Sequence, residues 1–546
     1  MKIFRFFIPM ACALMIVGCK ESTKSDVMTP RIPVYSSQGL PGPENPDRHQ
    51  DLFDHLVVVK DGWLQPWMDY DTLLVWSMNF LIDGPKVETE EGVLPGYLVT
   101  ASYEKWNMVF PEALTEDGIW HGRYVPNNQG GNAYYAMKLF RHYYPYTGDF
   151  RAIVPVRELL DRMLMFQTPD DWAWPGMVRT QDNDVQDGIY LDERLEPDKA
   201  AMVGIAYMEF ADYTGEEKYW VMAEHIADLL LKNIKDGTQT ESPLPFRVNM
   251  RTGETEDPYT SNMIFVVDFF DKMLARETSL DKADMKVKRD LVFNWIMDNP
   301  LKTGLWSGYF EDIDNCLLTN INQFSPMETA RYLLDHPDVC KDYKQVVLDL
   351  LGFVKGRFGG TYHYGAASIR EQDVCIFEMG SHTARYGSVL AKWAEVTGCE
   401  MAKKEALSTI ALAEYTACNH TSKGNISVNS VGLSWAGIWN SDCYFDYLPH
   451  FFEAMATWPE IIPEGTDHIF STTDMLKDVE YAPGSVKYTA INPDGTEMLK
   501  LSFKPKVLSD GQPLPKSCWK WGKWRGCDNI LTINRKGVSD IEIVKE

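Results

Sequence analysis

The chain has no CxxC pair and no Cys/His spacing of the zinc-finger kind, so a structural zinc site has no footing in it. After residue 18 it has no run of 18 apolar residues, which excludes a transmembrane helix in that part. Positive charge is scarce. There are 53 Lys and Arg against 78 Asp and Glu, a formal net charge of −25. A nucleic-acid binder with that balance would have to overcome its own repulsion from phosphate, so no nucleic-acid partner is expected. Apolar residues are not scarce. At 45%, with 24% charged, they rule out a mostly disordered chain.

The 546 residues exceed one compact domain of usual size, and a large domain plus a smaller one is expected. Rings are abundant, with 17 Trp, 26 Tyr and 25 Phe. Most must be core, but so many amphipathic rings also suit a carbohydrate groove.

The N-terminus reads as an address. Lys2 and Arg5 precede an apolar run over residues 6–18, and Ile16-Val17-Gly18-Cys19 is followed at once by Lys20-Glu21-Ser22. This resembles a bacterial lipoprotein signal over residues 1–18, which implies that Cys19 is lipidated as the first mature residue. The expected location is the periplasm or cell surface, with the membrane reached through an outer-membrane lipid anchor. The alternative is a plain secretory signal. Residues 19–50, rich in Pro, Ser and Gly, read as a linker. Of the other cysteines, Cys518 and Cys527 share one loop-rich stretch, where they either pair or stay buried thiols.

Residues 51–464 carry a helical pattern that repeats. Tyr146-Thr147-Gly148-Asp149, Tyr213-Thr214-Gly215-Glu216 and Val396-Thr397-Gly398-Cys399 each close an apolar or aromatic helix and open an amphipathic one. The Gly serves as a left-handed C-cap. The first two Thr are 67 residues apart, and 183 more reach the third, about three units of 61. Weaker breaks fall at Glu277-Thr278 and His336-Pro337-Asp338. A second echo is Thr329-Ala330-Arg331-Tyr332 and Thr383-Ala384-Arg385-Tyr386. The unit is therefore a helical hairpin. Outer, amphipathic helices are predicted near 70–82, 152–167, 217–233, 285–298, 343–354 and 400–417. Inner helices, apolar nearly all round, are predicted near 132–146, 198–213, 260–276, 322–335, 380–397 and 442–456. Six of each describe a mainly α chain folded as an (α/α)6 toroid barrel, with an open solenoid as the structural alternative. Residues 465–546 change to period-two alternation, as in Val486-Lys487-Tyr488-Thr489-Ala490, with a turn at Asn492-Pro493-Asp494-Gly495. They read as a small C-terminal β-sandwich domain, supporting the barrel or binding carbohydrate through Trp519, Trp521 and Trp524.

In such a barrel the long loops run from outer to inner helices and gather on one face. Here those loops hold carboxylates, rings, amides and arginines. Glycoside cleavage needs that mixture: one acid to protonate the leaving oxygen, one carboxylate to activate water or attack, rings to stack on sugar faces, amides to hold hydroxyls. The candidate acid and base are Asp182, Asp184, Glu193 and Glu371. The candidate substrate contacts are His121, Arg123, Asn128, Gln129, Trp174, Arg179, Arg194, His363, Arg370, Trp435 and Trp439. Each has a plainer reading. Asp182, Asp184 and Asp187 read as a solvated acidic loop or a calcium site, and they lack the full twelve-residue EF-hand loop with its final Glu, so the calcium signal is weak. No metal and no cofactor are expected. Glu193 lies just before an inner helix, where carboxylates often only complement the dipole. His382 and Arg385 sit in the first turns of a buried helix and need partners or a cavity.

With its Tyr-Thr-Gly-Asp/Glu hairpin ends, twelve helices and trailing β domain, the chain resembles the six-hairpin glycosidase superfamily. Among its members it resembles Bacteroides lipoproteins active on uronic acids, the β-glucuronidases and unsaturated glucuronyl hydrolases. That resemblance implies hydrolysis of a terminal glucuronic acid from a polysaccharide. Arg123, Arg179, Arg194 and Arg370 give it separate support, because Arg binds a carboxylate bidentately. Two rivals remain. One is a polysaccharide lyase centred on Tyr362, His363 and Tyr364, with Asn128 and Arg123 beside them. The other is a glycan-binding lipoprotein without catalysis.

Overall fold

The computed structural model describes residues 57–546 except 85, 104–116, 122–123, 127, 181–192, 310–317, 375–377, 419–426 and 429–441. Cys19, Arg123, Asp182, Asp184, Trp435 and Trp439 lie outside the described residues, as do the leader and most of the linker.

Twelve helices carry the architecture: α1 Tyr70–Asp83, α2 Gln129–Thr147, α3 Ile153–Met165, α4 Pro197–Thr214, α5 Glu217–Asn233, α6 Ile264–Leu274, α7 Lys282–Asp298, α8 Phe324–Asp335, α9 Tyr343–Phe358, α10 Gly380–Thr397, α11 Glu400–Glu414 and α12 Asp442–Thr457. The even-numbered helices close a ring, each packing on the next and α12 returning to α2. Each odd-numbered helix lies outside the preceding even one, and α1 lies outside α12. The chain is thus a closed (α/α)6 barrel of six hairpins, not an open solenoid.

Hydrophobic pattern decides which ring a helix joins. Every residue of α4 is buried except Asp212 and Thr214, as a helix covered on all sides requires. In α5 the buried set Tyr219, Met222, Ala223, Ile226, Ala227 and Leu230 marks one stripe, with Leu229 and Leu231 buried beside it, while Glu217, Lys218, Val221 and Lys232 are exposed. The hairpin ends explain the Thr-Gly repeat. Gly148, Gly215 and Gly398 all have left-handed φ, near 70°. The Thr147, Thr214 and Thr397 hydroxyls donate to the carbonyls four residues back at 2.7–2.8 Å. Thr147 and Thr214 also accept the N–H of the Asp or Glu two residues on. One triplet therefore ends a helix, reverses the chain and positions the next start.

Helices α6 and α8 begin later than the periodicity predicts. Thr260 Oγ1 accepts the N–H of Asn262 at 3.0 Å, and Asn322 Oδ1 accepts that of Ser325 at 2.9 Å. These side-chain bonds hold the preceding residues out of the helix.

Nine strands follow: β1 His468–Thr472, β2 Leu476–Ala482, β3 Ser485–Ala490, β4 Gly495–Lys500, β5 Pro505–Ser509, β6 Gln512–Pro513, β7 Trp519–Trp524, β8 Cys527–Arg535 and β9 Asp540–Lys545. They form two antiparallel sheets, ordered β1-β4-β8-β7 and β2-β3-β9-β5-β6. The Asn492–Gly495 turn carries the chain from one sheet to the other. Glu497 on β4 pairs with Arg535 on β8 at 2.8 Å and accepts the Tyr488 hydroxyl of β3 at 3.0 Å, tying the sheets together. Trp519 is buried in this small domain, and Cys518 and Cys527 are separate thiols. The sandwich seats on the C-terminal ends of the inner helices. Val479 N–H donates to the Tyr144 hydroxyl at 3.0 Å, and Arg525 donates to the Thr457 carbonyl at 2.9 Å. Among the described residues no helix is long and apolar enough to cross a membrane.

Ring closure depends on close helix approach at Gly204. A Cβ there would lie 2.4 Å from the Phe269 ring of α6. Gly204→Val is expected to cost roughly 1–3 kcal/mol or more of barrel stability by overpacking, read by chemical denaturation. Adding Phe269→Leu should recover part of the loss. A Gly204→Val variant as stable as the parent would contradict this packing.

Candidate active site

The connections into the inner helices are long and the returns are short. Residues 84–128, 166–196, 234–263, 299–323, 359–379 and 415–441 lead inward, whereas 215–216 and 398–399 suffice for two of the returns. The long loops therefore collect at one mouth, around the N-termini of six inner helices. Each N-terminus brings unpaired N–H groups and a partial positive charge.

The described candidates fall at different depths of this face. Asn128 caps α2, its Oδ1 accepting from Gly131 N at 3.1 Å. Gln129 is buried and donates to the Leu98 carbonyl at 3.4 Å. Trp174 is 2% exposed and packs in the hydrophobic core. Arg179 lies over the ring of Trp172 at 5.9 Å. Glu193 meets Arg251 at 3.2 Å and Asn249 at 3.3 Å, and Arg194 meets Glu256 at 2.7 Å. Arg370 donates to the Gly359 carbonyl at 3.1 Å. The carbonyl of Glu371 accepts from Gln323 N at 3.4 Å, which places it at the entrance to α8. His121 is exposed, with Glu88 at 2.6 Å and Asp117 at 3.0 Å, and those two carboxylates raise its pKa in that order. His363 is half-buried in a hairpin whose Tyr362 and Tyr364 are 58% and 54% exposed.

Nearer the barrel axis is a second group. Asp198 opens α4 with both oxygens engaged: the Lys199 backbone N–H donates to Oδ1 at 2.8 Å, and Asn262 Nδ2 to Oδ2 at 2.9 Å. Lys199 Nζ donates to the Tyr309 carbonyl at 3.3 Å and lies 4.0 Å from that ring's centre. Tyr309 stacks on Phe324 at 3.9 Å, and Arg385 lies over Phe324 at 4.2 Å. Beside them a set of buried polar atoms has no hydrogen-bond partner among the described residues: Ser261 Oγ, Asn262 Oδ1, Trp306 Nε1, Ser307 Oγ, Ser325 Oγ and both amide atoms of Gln323. The Ser261 N–H donates to the Ser307 carbonyl at 2.8 Å, and Asn322 N–H to the Trp306 carbonyl at 2.8 Å, so the set is one knot between the starts of α6 and α8. Leaving such atoms dry costs about 1–3 kcal/mol each, and all six of these residues are fully buried.

Below the mouth runs a column of buried charge. Glu328 accepts Arg385 Nε at 2.9 Å and Arg331 Nε at 3.2 Å. Arg385 also pairs with Asp446, and Arg331 with Glu453. Burial works to raise Glu328, but Arg331, Lys138 and Arg385 outweigh it and hold the carboxyl below its usual range. Asp446 is likewise held down, Arg385 and His450 together overcoming burial. Arg385 Nη1 donates to His382 Nδ1 at 2.8 Å. A guanidinium has only donors, so the ring proton sits on Nε2. Burial, then Arg385, pushes His382 down to about 3, and burial pushes His142 down to about 4.

The echoed Thr-Ala-Arg-Tyr is the sequence signal for this column, because both of its arginines are axial. Asp198, Asn262 and Gln323 carried no such signal. They are single polar residues at helix starts, where a cap is the ordinary reading.

Both histidines are neutral when folded and titrate near 6.5 when unfolded. The unfolded chain binds more protons between those values, so their contribution is complete above about pH 6.5 and is lost as pH falls toward 4 and 3. His142→Phe is expected to lessen the loss of stability between pH 6.5 and 4, by a slope of up to about 1.4 kcal/mol per pH unit. Denaturant midpoints taken across that range check it, and parallel curves for parent and variant would contradict it.

No family model matches the chain, and no curated protein sequence matches it. Among solved structures, the cellobiose 2-epimerase from Bacillus thermoamylovorans B4167 is 11% identical, with TM-score 0.44 over 60% of this chain and 86% of its own. A D-mannose isomerase is 14% identical, with TM-score 0.44 over 60% and 87%. The unsaturated glucuronyl hydrolase from Streptococcus agalactiae is 12% identical, with TM-score 0.43 over 78% of this chain and 98% of its own. At these values the closed ring of hairpins rests on this chain's own helix packing.

Proposed function

We propose that the barrel mouth is the active site of a glycoside hydrolase that removes a terminal sugar, a glucuronic acid, from a polysaccharide. The observation that carries this reading is the knot of buried hydroxyl, amide and indole groups beside Asp198. Such neutral donors and acceptors match the hydroxyls of a sugar ring, and a site built to bond hydroxyls rejects ligands that lack them. Tyr309, stacked on Phe324, offers an aromatic edge to the same space.

Asp198 is the carboxylate we assign to attack or to activate water. It stands at the start of a helix and accepts two N–H groups, from Lys199 and Asn262. The proton donor comes from the loop carboxylates Asp182, Asp184, Glu193 and Glu371. Of these, Glu371 enters beside Gln323, while Glu193 already meets Arg251. The uronate is met by arginine forks from Arg123, Arg179 and Arg370. Arg194 has its fork turned to Glu256. Trp435, Trp439, His121 and His363 are the remaining residues we assign to contact with the sugar chain.

Aryl β-glucuronides and uronate-ended oligosaccharides test the reading on the full chain. Asp198→Asn is expected to lower kcat by roughly 100-fold or more, and Gln323→Leu to raise KM with a smaller change in kcat. Turnover indifferent to both would overturn the assignment. A rise in ultraviolet absorbance from a new double bond would show β-elimination in place of hydrolysis. Binding without any product would leave a glycan-binding protein.

The same reading has the chain exported and held at a membrane by lipid on Cys19. Radiolabelled palmitate is expected to enter the parent and not Cys19→Ser. A parent that takes up no label would refute the anchor.

A further inference from the structure

Between the inner helices and the sandwich lies a cavity of about 620 Å³, whose wall runs from Tyr134, Phe265 and Asp268 in the first halves of α2 and α6 down to Arg141, Lys392 and Thr457 toward the ends of theirs. Its size is within the range of small-molecule sites. Residues from β1, β4 and β7 complete it, so it exists only because the sandwich is seated. At its rim Asp335 and Lys392 are 44% and 34% exposed, which opens it to solvent.

The wall is densely charged, yet the charges answer one another. Arg141 meets Glu209 at 2.8 Å, Lys272 meets Glu209 at 3.3 Å, and Lys138 meets Glu453 at 2.7 Å. On the sandwich side Arg525 meets Glu395 at 2.5 Å. A charged ligand would have to compete with one member of each pair. A neutral ligand with many hydroxyls can donate to the carboxylates and accept from the cations while leaving the pairs in place.

Tyr134 and Asp268 stand outside the close pairs. The Tyr134 hydroxyl makes no hydrogen bond among the described residues, and Asp268 has only Lys272, at 4.0 Å. Both face the cavity. Tyr134 meets Phe265 edge-on at 5.2 Å, and across the cavity the sandwich contributes Trp524, with Arg525 on its ring at 4.0 Å. Rings on facing walls, with polar groups between them, suit the apolar faces and equatorial hydroxyls of a pyranose.

We propose that this cavity is a second binding site, separate from the mouth, for a neutral mono- or disaccharide. Tyr134 and Asp268 bond its hydroxyls, and Trp524 covers one face of the ring.

Titration calorimetry and tryptophan fluorescence on the full chain, with glucose, mannose and lactose as probes and glucuronate as the charged control, test it. At least one neutral sugar is expected to bind. Tyr134→Phe and Asp268→Asn should weaken that binding roughly tenfold or more, the loss of one good hydrogen bond, with unchanged circular dichroism. Asp198→Asn at the mouth should leave it unaltered. Trp524→Phe should abolish the sugar-dependent emission change while keeping the heat of binding. The proposal is overturned by any of four results: no heat with any neutral sugar, affinity unmoved in both wall variants, binding lost in Asp198→Asn, or wall variants that weaken glucuronate binding more than neutral-sugar binding. None of these bears on turnover at the mouth.

Discussion

A single buried carboxylate holds the axis of this barrel. Glu328 lies between Arg385 and Arg331, and through them reaches Asp446 and Glu453 on α12 and Lys138 on α2. Taking such ions out of water is expensive, and only mutual pairing with satisfied hydrogen bonds offsets it. The bonds form only when α2, α8, α10 and α12 stand at one register around the axis. The column thus adds little net stability over an apolar core. It penalises any slipped ring, because each slip would strand a charge at 0–17% exposure. Removing Glu328 alone would leave two guanidiniums facing each other. Replacing the whole set by apolar residues would be far milder.

The same column sets the chemistry at each end. Arg385 belongs at once to the column and to the mouth, where it covers Phe324 and fixes the tautomer of His382. Arg331 and Glu453 belong at once to the column and to the lower cavity. The mouth therefore inherits a neutral imidazole with its proton on Nε2, and the cavity inherits walls whose charges are already matched. Fold and function share these side chains, which is why apolar layers fill the space between inner and outer rings instead of the centre.

What the sequence made legible follows from range. All twelve helices were readable, since a 3.6-residue stripe or its absence is local, and so is a Thr-Gly reversal. Of the nine sandwich strands, only runs with clear period-two alternation, such as Val486–Ala490, were readable for the same reason. The late starts of α6 and α8 were not, because Thr260 and Asn322 compete for backbone bonds in a way periodicity does not register. The site was legible only as a face. Composition located the long loops, but it could not rank their carboxylates. Nor could it single out Asp198, whose partner Asn262 lies just before α6, or Gln323, or show that Trp174 turns into the core while Trp172 is only partly buried beside Arg179. The Thr-Ala-Arg-Tyr echo was visible as a repeat, yet its meaning, two arginines sharing one glutamate, required the ring to close.

The net charge poses a final constraint on the substrate we propose. A chain at −25 repels an anionic sugar at long range, so attraction has to be local. Beyond about 8 Å physiological salt screens the protein's average field, and what remains is set by the nearest charges. At the mouth these are the N-termini of six inner helices, each equivalent to about half a positive charge, together with the loop arginines. Asp198 already uses one terminus. Asn128 and Asn322 cap two more, but as neutral groups they leave the positive ends uncancelled, and a toroid is the arrangement that points them all to one place. An acidic protein can thus hold a carboxylate-bearing sugar there, where its own helices converge, while the bulk of its surface turns polyanions away.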